Sequence, residues 1–479
     1  MTQSAGIHSV RLTHLFTSGA APITIGRWPC GEKRAGRQCI CRHPPPHVLA
    51  SSFRQSFIMA GLDAARHIKY WQRCHSSFLP SAYTANDSTR LTFAFFIVSA
   101  LDLLGPSADA ATAPLLSAAD RAAVRAWVLG LQHPDGGFCG SPTHALRDQP
   151  ARGAANLAAT FFALLLLALA AGDEGEAGAA FAGVERRKLL RWLRRLQRCD
   201  GSFGQVLWEG EAVGGRDMRH SYFASCIRWM LLGDGGDAEE DDVDVESMVA
   251  HIRRCQTFDG GLAEASEHES HAGYAYCGIA ALYMLDRRGP FSSASREAAM
   301  EAGIGCRDRL VRFFAHRQFE YLAKQEEDDD ASDDENFVES KLGDMDLDDG
   351  CACVGFNGRW NKKADTCYTW WVSGTLAILD SLEVVNAAPS RRYLVDVTQH
   401  RIGGFGKAVG SPPDIYHSYL ALAALALLGE PSLKEFDIGL WCSKDTARKV
   451  KLARRGLLEK EKNLFDGDGF WDTVEPLGR

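Results

Sequence analysis

No apolar run in this 479-residue chain is long enough to cross a membrane. The longest, Leu157–Ala171, falls short of the roughly 20 residues a spanning helix needs and reads instead as a helix buried on all sides. A strong charge of one sign is lacking too: the formal net charge is −8 and no basic patch marks a nucleic-acid surface. Regular cysteine spacing is also missing. The fourteen cysteines are scattered through apolar helical text, which argues against a disulfide framework. With no secretory signal, they suit reduced, mostly buried thiols in the cytoplasm. Acidic residues are scarce in one place, the first 58 residues, where Glu32 faces seven Lys or Arg and a Pro44–Pro46 run. That composition fits a targeting segment, or a disordered or wrongly assigned leader ahead of a start near Met59.

What is present is a core-forming composition with a repeat. Apolar residues make up 46% and aromatics 10%, and the length implies two domains or one large repeat architecture. Leu131-Gln132-His133-Pro134-Asp135-Gly136-Gly137-Phe138 recurs as Leu196-Gln197-Arg198-Cys199-Asp200-Gly201-Ser202-Phe203 and as Cys255-Gln256-Thr257-Phe258-Asp259-Gly260-Gly261-Leu262. Degenerate copies stand at Gly355-Phe356-Asn357-Gly358 and at Gln399 to Phe405. In each, a helix ends near the Gln, the glycines make a turn, and the aromatic or Leu tucks back into the core.

A far more apolar helix follows each turn: Asn156 to Ala171, His220 to Leu232, His271 to Leu285, Cys367 to Leu382 and Ile415 to Leu428. Each pairs with a preceding amphipathic helix such as Ala118–Leu131 or Val184–Leu196. One helix buried all round and one half exposed suits an all-α fold of two concentric rings, an α/α toroid; an open solenoid also shows paired helices. The predicted toroid covers residues 59–435, interrupted by an acidic insertion at 326–349. Residues 436–479 are read as a C-terminal tail whose basic stretch, Lys444 to Lys462, forms an exposed amphipathic helix.

If the inner helices start at one rim, their N-termini favour an anionic ligand. Polar residues there, Arg219, His271, Asp365, Cys367, Tyr368 and His417, then converge on one cavity. Asp365, Cys367 and His417 offer a carboxylate, a thiolate and an imidazole, three zinc ligands that leave a fourth position open, as catalytic sites do. Taken singly, a buried Cys is a small hydrophobe and a His a satisfied core residue. Arg359 to Lys363, just ahead, could serve a diphosphate or be a solvated basic loop.

The stretch Gly358-Arg359-Trp360-Asn361-Lys362-Lys363-Ala364-Asp365-Thr366-Cys367-Tyr368-Thr369-Trp370-Trp371 resembles the zinc and diphosphate motif of protein prenyltransferase β subunits, and the resemblance runs from about His67 to about Glu430. It implies one Zn²⁺ held by Asp365, Cys367 and His417, with His271, Arg359, Lys362 and Tyr368 around a diphosphate. Three types share that motif. Lys407, ten residues before His417, matches the type I geranylgeranyl group, where the farnesyl and Rab types carry Asp; an ammonium there implies that Mg²⁺ is not required. Thr92, in Ser88 to Phe96, matches the small residue that leaves room for a fourth isoprene. Asp217-Met218-Arg219 with Ala224-Ser225-Cys226 also follows type I.

Three positions depart from the type I pattern. Leu420 stands in place of an aromatic along the lipid pocket. Asn156 replaces a His, and Gly215 an acidic residue, of a network that holds the substrate's C-terminal carboxylate on the peptide side, where Arg219 would act. The resemblance further implies an obligate α subunit, geranylgeranyl diphosphate, and protein substrates ending in Cys-aliphatic-aliphatic-X, such as Rho-type small GTPases. His271, Tyr368 and Lys407 would take up charge as the diphosphate leaves.

The rivals are a farnesyltransferase β subunit, a terpene cyclase on the same fold, and a non-catalytic toroid that binds partners. Asp329-Asp330-Ala331-Ser332-Asp333 and Asp346-Leu347-Asp348-Asp349 match cation–diphosphate and cyclase motifs. A run this acidic generates such matches freely, and it reads as a solvated disordered loop.

Overall fold

The computed structural model describes residues 61–106, 114–144, 155–232, 241–287, 298–321 and 353–466. The leader and the acidic run at 326–349 lie outside these residues. Fifteen α-helices dominate what is described: α1 (Ala64–Ser76), α2 (Arg90–Leu104), α3 (Ala118–Leu129), α4 (Leu157–Leu169), α5 (Glu174–Gly178), α6 (Arg186–Leu196), α7 (Met218–Leu231), α8 (Val245–Arg254), α9 (Ala272–Asp286), α10 (Ala298–Gly303), α11 (Arg307–Ala315), α12 (Thr366–Ile378), α13 (Ala387–Arg392), α14 (Ile415–Leu427) and α15 (Lys444–Asp466).

Helices α2, α4, α7, α9, α12 and α14 are buried on all sides. In α4 every residue but Ala158 is buried, as expected of a helix with no polar stripe. Each of the six packs against the next, and α14 packs back against α2, so the inner ring closes. The outer helices are two-faced. In α6, Leu189, Leu190, Trp192, Leu193 and Leu196 turn inward while most of the arginines lie outside. The fold is therefore a closed α/α toroid. Its first pair, α1 with α2, escaped the repeat search because no Asp-Gly-Gly turn joins the two helices.

The repeated Gln explains how neighbouring pairs hold together. Gln197 donates from Nε2 to the carbonyl of Asp244 and accepts at Oε1 from the same residue's N–H, both at 2.7 Å, just ahead of α8. Gln132 makes the same two bonds to Gly183 and Glu185 ahead of α6, and Gln256 makes them to Gly303 and Gly305 ahead of α11. The last copy closes the ring: Gln399 Oε1 accepts from the Asp63 N–H and contacts His67 Nε2 at 2.9 Å, beside α1. Close approach also demands glycine in the turn. Gly201 has φ of 83° and a Cβ there would sit 1.9 Å from the Ser247 carbonyl of α8, a contact no side chain tolerates.

The fourth copy is more complete than its sequence suggests. Gln318 bonds Val384 O and Asn386 N ahead of α13, so the fourth Gln is present. It pairs with Phe356 across the hairpin β1 (Gln318–Glu320) and β2 (Val354–Phe356), as Gln132 pairs with Phe138 and Gln399 with Phe405. The insertion therefore lies inside the fourth turn, between its Gln and its aromatic.

The C-terminal segment also departs from the expectation of a tail at 436–479 with an exposed basic helix at Lys444 to Lys462. Phe436, Leu440, Trp441 and Cys442 are buried in the core. Helix α15 does form, but Val450, Ala453 and Leu457 are buried, and it packs on α4, α5 and α7. Its basic residues had suggested a solvated surface, yet one side of this amphipathic helix covers the toroid. The Arg454 side chain bonds the Leu232 carbonyl.

Candidate functional site

Five inner helices begin with a side chain that satisfies their own free N–H groups. Asn156, Asp217, His271, Asp365 and Asp414 accept from the N–H of Ala159, Arg219, Gly273, Cys367 and His417 respectively, as N-caps do. The capping residues thereby become fixed on one rim. Capping by Asp365 holds its carboxylate next to Cys367, two residues on, and the neighbouring helix start brings His417 to the same place.

The ligand atoms of Asp365, Cys367 and His417 all lie within 4.8 Å of one another, and His417 Nε2 is 3.2 Å from Asp365 Oδ1. Hydrogen bonds fix the imidazole. Asp414 Oδ2 holds His417 Nδ1 at 2.6 Å, which leaves Nε2 facing the carboxylate and the thiol. A carboxylate behind a histidine in this way is the usual support of a metal-ligating ring. Burial opposes a charged imidazole here, yet the bonds to Asp365 and Asp414 outweigh it and push His417 up to about 9. Burial likewise opposes ionisation of Asp365, but the contacts with His417 and Cys367 hold its carboxyl below the usual range. The Cys367 thiol is raised well above its ordinary value, first by burial and then by Asp365. Such a set favours a divalent cation, which would replace the protons on nitrogen and sulfur. A sulfur, a nitrogen and a carboxylate oxygen with one direction open fit zinc.

Lys407 stands over this triad. Its carbonyl accepts from the Thr366 N–H at 2.9 Å, anchoring the backbone at the start of α12. Its Nζ, on a largely exposed side chain, reaches 3.8 Å from Asp365 Oδ2. On the other side, His271 Nε2 and the Tyr368 hydroxyl are 3.0 Å apart. His271 Nδ1 must accept, because the Gly273 N–H donates to it at 3.1 Å, so the neutral ring carries its proton on Nε2. Burial, with Arg359 adding to it, pushes this imidazole down to about 4, leaving a neutral donor.

The loop at 357–365 carries the other cations. Gly358 packs so tightly on the Tyr368 ring that an added Cβ would lie 2.2 Å from it, and its carbonyl accepts from Ala272 N at 2.9 Å. Arg359 pairs with Glu269 at 2.9 Å, and Lys362 is exposed. Arg219 is exposed on the same rim, held by its own cap Asp217 through Nε and Nη2. Thr92 is half-buried in the first turn of α2, while Leu420 is fully buried in α14.

Sequence reasoning missed three supports. Asp414 was legible as an Asp three residues ahead of His417 at a helix start. Glu269, the partner of Arg359, and Arg317 were not. Arg317 occupies the position that is Leu131, Leu196, Cys255 or Thr398 in the other turns. Fully buried, it lies 3.9 Å beneath the Trp360 ring and 5.0 Å from that of Phe313, and Trp360 Nε1 donates to Asp259 at 3.1 Å. The basic loop is thus braced from below by a cation–π stack.

The family model for the prenyltransferase alpha-alpha toroid domain matches residues 62–442. The chain is 29% identical over 406 residues to the geranylgeranyl transferase type-1 subunit beta of Arabidopsis thaliana, covering 81% of this chain and 91% of the relative. It is 26% identical over 405 residues to the subunit of the same name from Dictyostelium discoideum, covering 80% and 95%. Among solved structures, Candida albicans protein geranylgeranyltransferase-I complexed with GGPP matches with a TM-score of 0.63 at 26% identity, covering 82% of this chain and 98% of that one.

Proposed function

The chain belongs to the prenyltransferase α/α-toroid family, and from that premise we propose that it is the catalytic β subunit of a heterodimeric type I protein geranylgeranyltransferase. It transfers a C20 group from geranylgeranyl diphosphate to the cysteine of proteins ending in Cys-aliphatic-aliphatic-X, with X typically Leu, and it works in the cytoplasm with an α subunit. One observation carries the reading: Asp365, Cys367 and His417 converge at the rim where Lys407 on one side and His271 with Tyr368 on the other face the same opening.

Asp365, Cys367 and His417 would hold one zinc ion. Zinc, when bound, holds the substrate cysteine as a thiolate at neutral pH. The chain's own residues do the rest. The Nε2–H of His271, the Tyr368 hydroxyl, Arg359 and Lys362 grip the diphosphate and orient C1 of the isoprenoid towards the sulfur. A C–S bond forms at C1 as the C1–O bond breaks, and the diphosphate leaves with the electron pair. Lys407 meets the charge that grows on the leaving group, which is stabilisation realised mainly in the transition state and removes the need for Mg²⁺. Arg219, pre-oriented by Asp217, serves the peptide side. The buried inner wall near Thr92 and Leu420 excludes water from the lipid, each CH₂ contributing about 0.8 kcal/mol.

The test is single-turnover transfer by the purified heterodimer without Mg²⁺, with C15 and C20 diphosphates competing for peptides ending in Leu or Ser. C20 transfer to the Leu peptide is the expected outcome. Preferential C15 transfer to the Ser peptide would replace this reading with a farnesyltransferase.

A further inference from the structure

The last turn of the repeat lacks a residue that its second and third counterparts use. In those two, the Asp three residues after the Gln folds back on the turn. Asp200 Oδ1 accepts from the Ser202 N–H at 3.0 Å, and Asp259 Oδ1 from the Gly261 N–H at 3.3 Å. Three residues after Gln399 stands Ile402, whose side chain accepts nothing. The N–H left over belongs to Gly404, which is buried, and a buried amide without a partner costs about as much as a lost hydrogen bond.

His67 of α1 supplies the acceptor from outside the turn. Its Nδ1 takes the Gly404 N–H at 3.1 Å, and its ring stacks on that of Phe405 with centroids 4.8 Å apart. Because Nδ1 accepts, the neutral ring carries its proton on Nε2, which donates to Gln399 Oε1 at 2.9 Å. His67 is fully buried. That burial pushes the imidazole below its ordinary value, so the acceptor is kept.

This turn is the one that carries Lys407, two residues beyond Phe405. Its far end is tied as well. The Gly406 N–H donates to the Thr398 carbonyl at 3.0 Å, and the Thr366 hydroxyl to the Gly406 carbonyl at 2.7 Å. The Thr366 N–H donates to the Lys407 carbonyl at 2.9 Å, and Thr366 lies between Asp365 and Cys367. Residues 404–407 therefore run from α1 to the helix start that bears two of the three metal-ligand residues, fastened at both ends.

We propose that His67 is a positioning residue for the transfer reaction, holding the last turn so that the Lys407 ammonium meets the leaving diphosphate. This rests on the reaction proposed above. His67 touches no substrate and acts through Lys407. Without the acceptor the Gly404 end of the turn shifts, and Lys407 shifts with it. A displacement of about 1 Å at such a group costs up to about a hundredfold in rate.

Single-turnover C20 transfer by the zinc-loaded heterodimer would be measured for the unsubstituted protein, His67→Gln, His67→Asn, Lys407→Ala and the His67→Gln/Lys407→Ala double variant. Glutamine still donates towards Gln399 but offers nothing at the Nδ1 position, whereas asparagine places its carbonyl oxygen there. His67→Gln should slow transfer by about tenfold or more, with zinc content and the Kd for the C20 diphosphate unchanged. Asparagine should recover most of the rate. So should Ile402→Asp added to His67→Gln, which returns the acceptor that the other turns use. In the Lys407→Ala background, His67→Gln should change the rate by less than about twofold. Hydrogen exchange resolved to single residues in the unsubstituted heterodimer needs no variant to fold, and the Gly404 amide should be protected as strongly as that of Ser202. An equal loss with and without Lys407, an undiminished rate in His67→Gln, or free exchange at Gly404 would each overturn the role of His67. No C20 transfer by the unsubstituted heterodimer would instead overturn the functional reading.

Discussion

The rim of the ring and the aromatic layer one turn below it, where Phe161, Phe162, Tyr222, Tyr276 and Trp371 surround Trp441, are built from the same six helices, yet they treat polarity in opposite ways. At the rim, polar groups are brought close without neutralising each other fully. Lys407 stops 3.8 Å short of Asp365, His271 is kept neutral by burial, and the Cys367 thiol is buried beside a carboxylate. In the layer below, the hydroxyls of Tyr222, Tyr276 and Tyr419 all end on carbonyls of the C-terminal segment. Tyrosine hydroxyls that already have partners hold the shape of that layer, whereas rim groups short of partners gain most from a ligand. Substitutions at the rim should therefore change chemistry more than stability, and substitutions in the layer the reverse.

The largest separation is expected from Cys367→Ser. Zinc measured in the purified protein should disappear and transfer should fall at least about a thousandfold, about 4 kcal/mol, while the unfolding midpoint of the metal-free protein barely moves. Equal loss of stability would erase the contrast. Lys407→Asp should lower transfer by about a hundredfold without touching zinc content, and added Mg²⁺ should restore part of the rate. A variant indifferent to Mg²⁺ would remove Lys407 from the leaving-group side.

Asp414→Asn acts one step further from the chemistry. Zinc affinity, measured by competition with a chelator, should weaken by about 10–100-fold with little change in folding. In the lower layer, Tyr222→Phe removes the stronger donor to the Gly439 carbonyl and leaves only the Cys226 thiol at 3.7 Å. It should cost about 1–2 kcal/mol in denaturant unfolding, with zinc binding and C20 transfer close to those of the unsubstituted protein.

The smallest effect concerns pH. The His271 ring is pushed down to about 4 in the fold, from an ordinary value of about 6.5. Between those values the unfolded chain takes up a proton that the folded one refuses, so stability falls as pH drops through that window. For this half-buried ring the loss should be on the order of 1 kcal/mol, and His271→Gln should flatten the stability profile there by that amount. An identical slope in the variant would show that the imidazole titrates normally.

Much of the ring was legible from one dimension. Helix pairing, the Gln and glycine turns and the all-round apolarity of α4, α7, α9, α12 and α14 depend on spacing and hydrophobic period, which a chain displays directly. The first pair, α1 and α2, was harder because the marker of every other pair is absent from its connection. Gln318 was hidden because residues 319–355 separate it from Phe356, and a hydrogen-bonded pair at that distance leaves no periodic trace. Arg317 was hidden because a core position normally held by Leu, Cys or Thr carries a charge whose partner is the ring of Trp360.

The sequence by itself determined the helical repeat architecture and the polar residues that open the inner helices. Repeats that each need a neighbour to bury their apolar face can only stack, and short polar segments before apolar helices must cap them. Closure of the ring, through His67 and Gln399, and the place of Trp441 among four inner helices were decided in three dimensions. Trp441 carries no motif and, at a φ of 56°, takes a backbone conformation that its residue type disfavours. Only the simultaneous presence of four helices around its indole and three tyrosine hydroxyls on its segment makes that conformation the stable one, and such an arrangement of distant residues is a property of the packed fold.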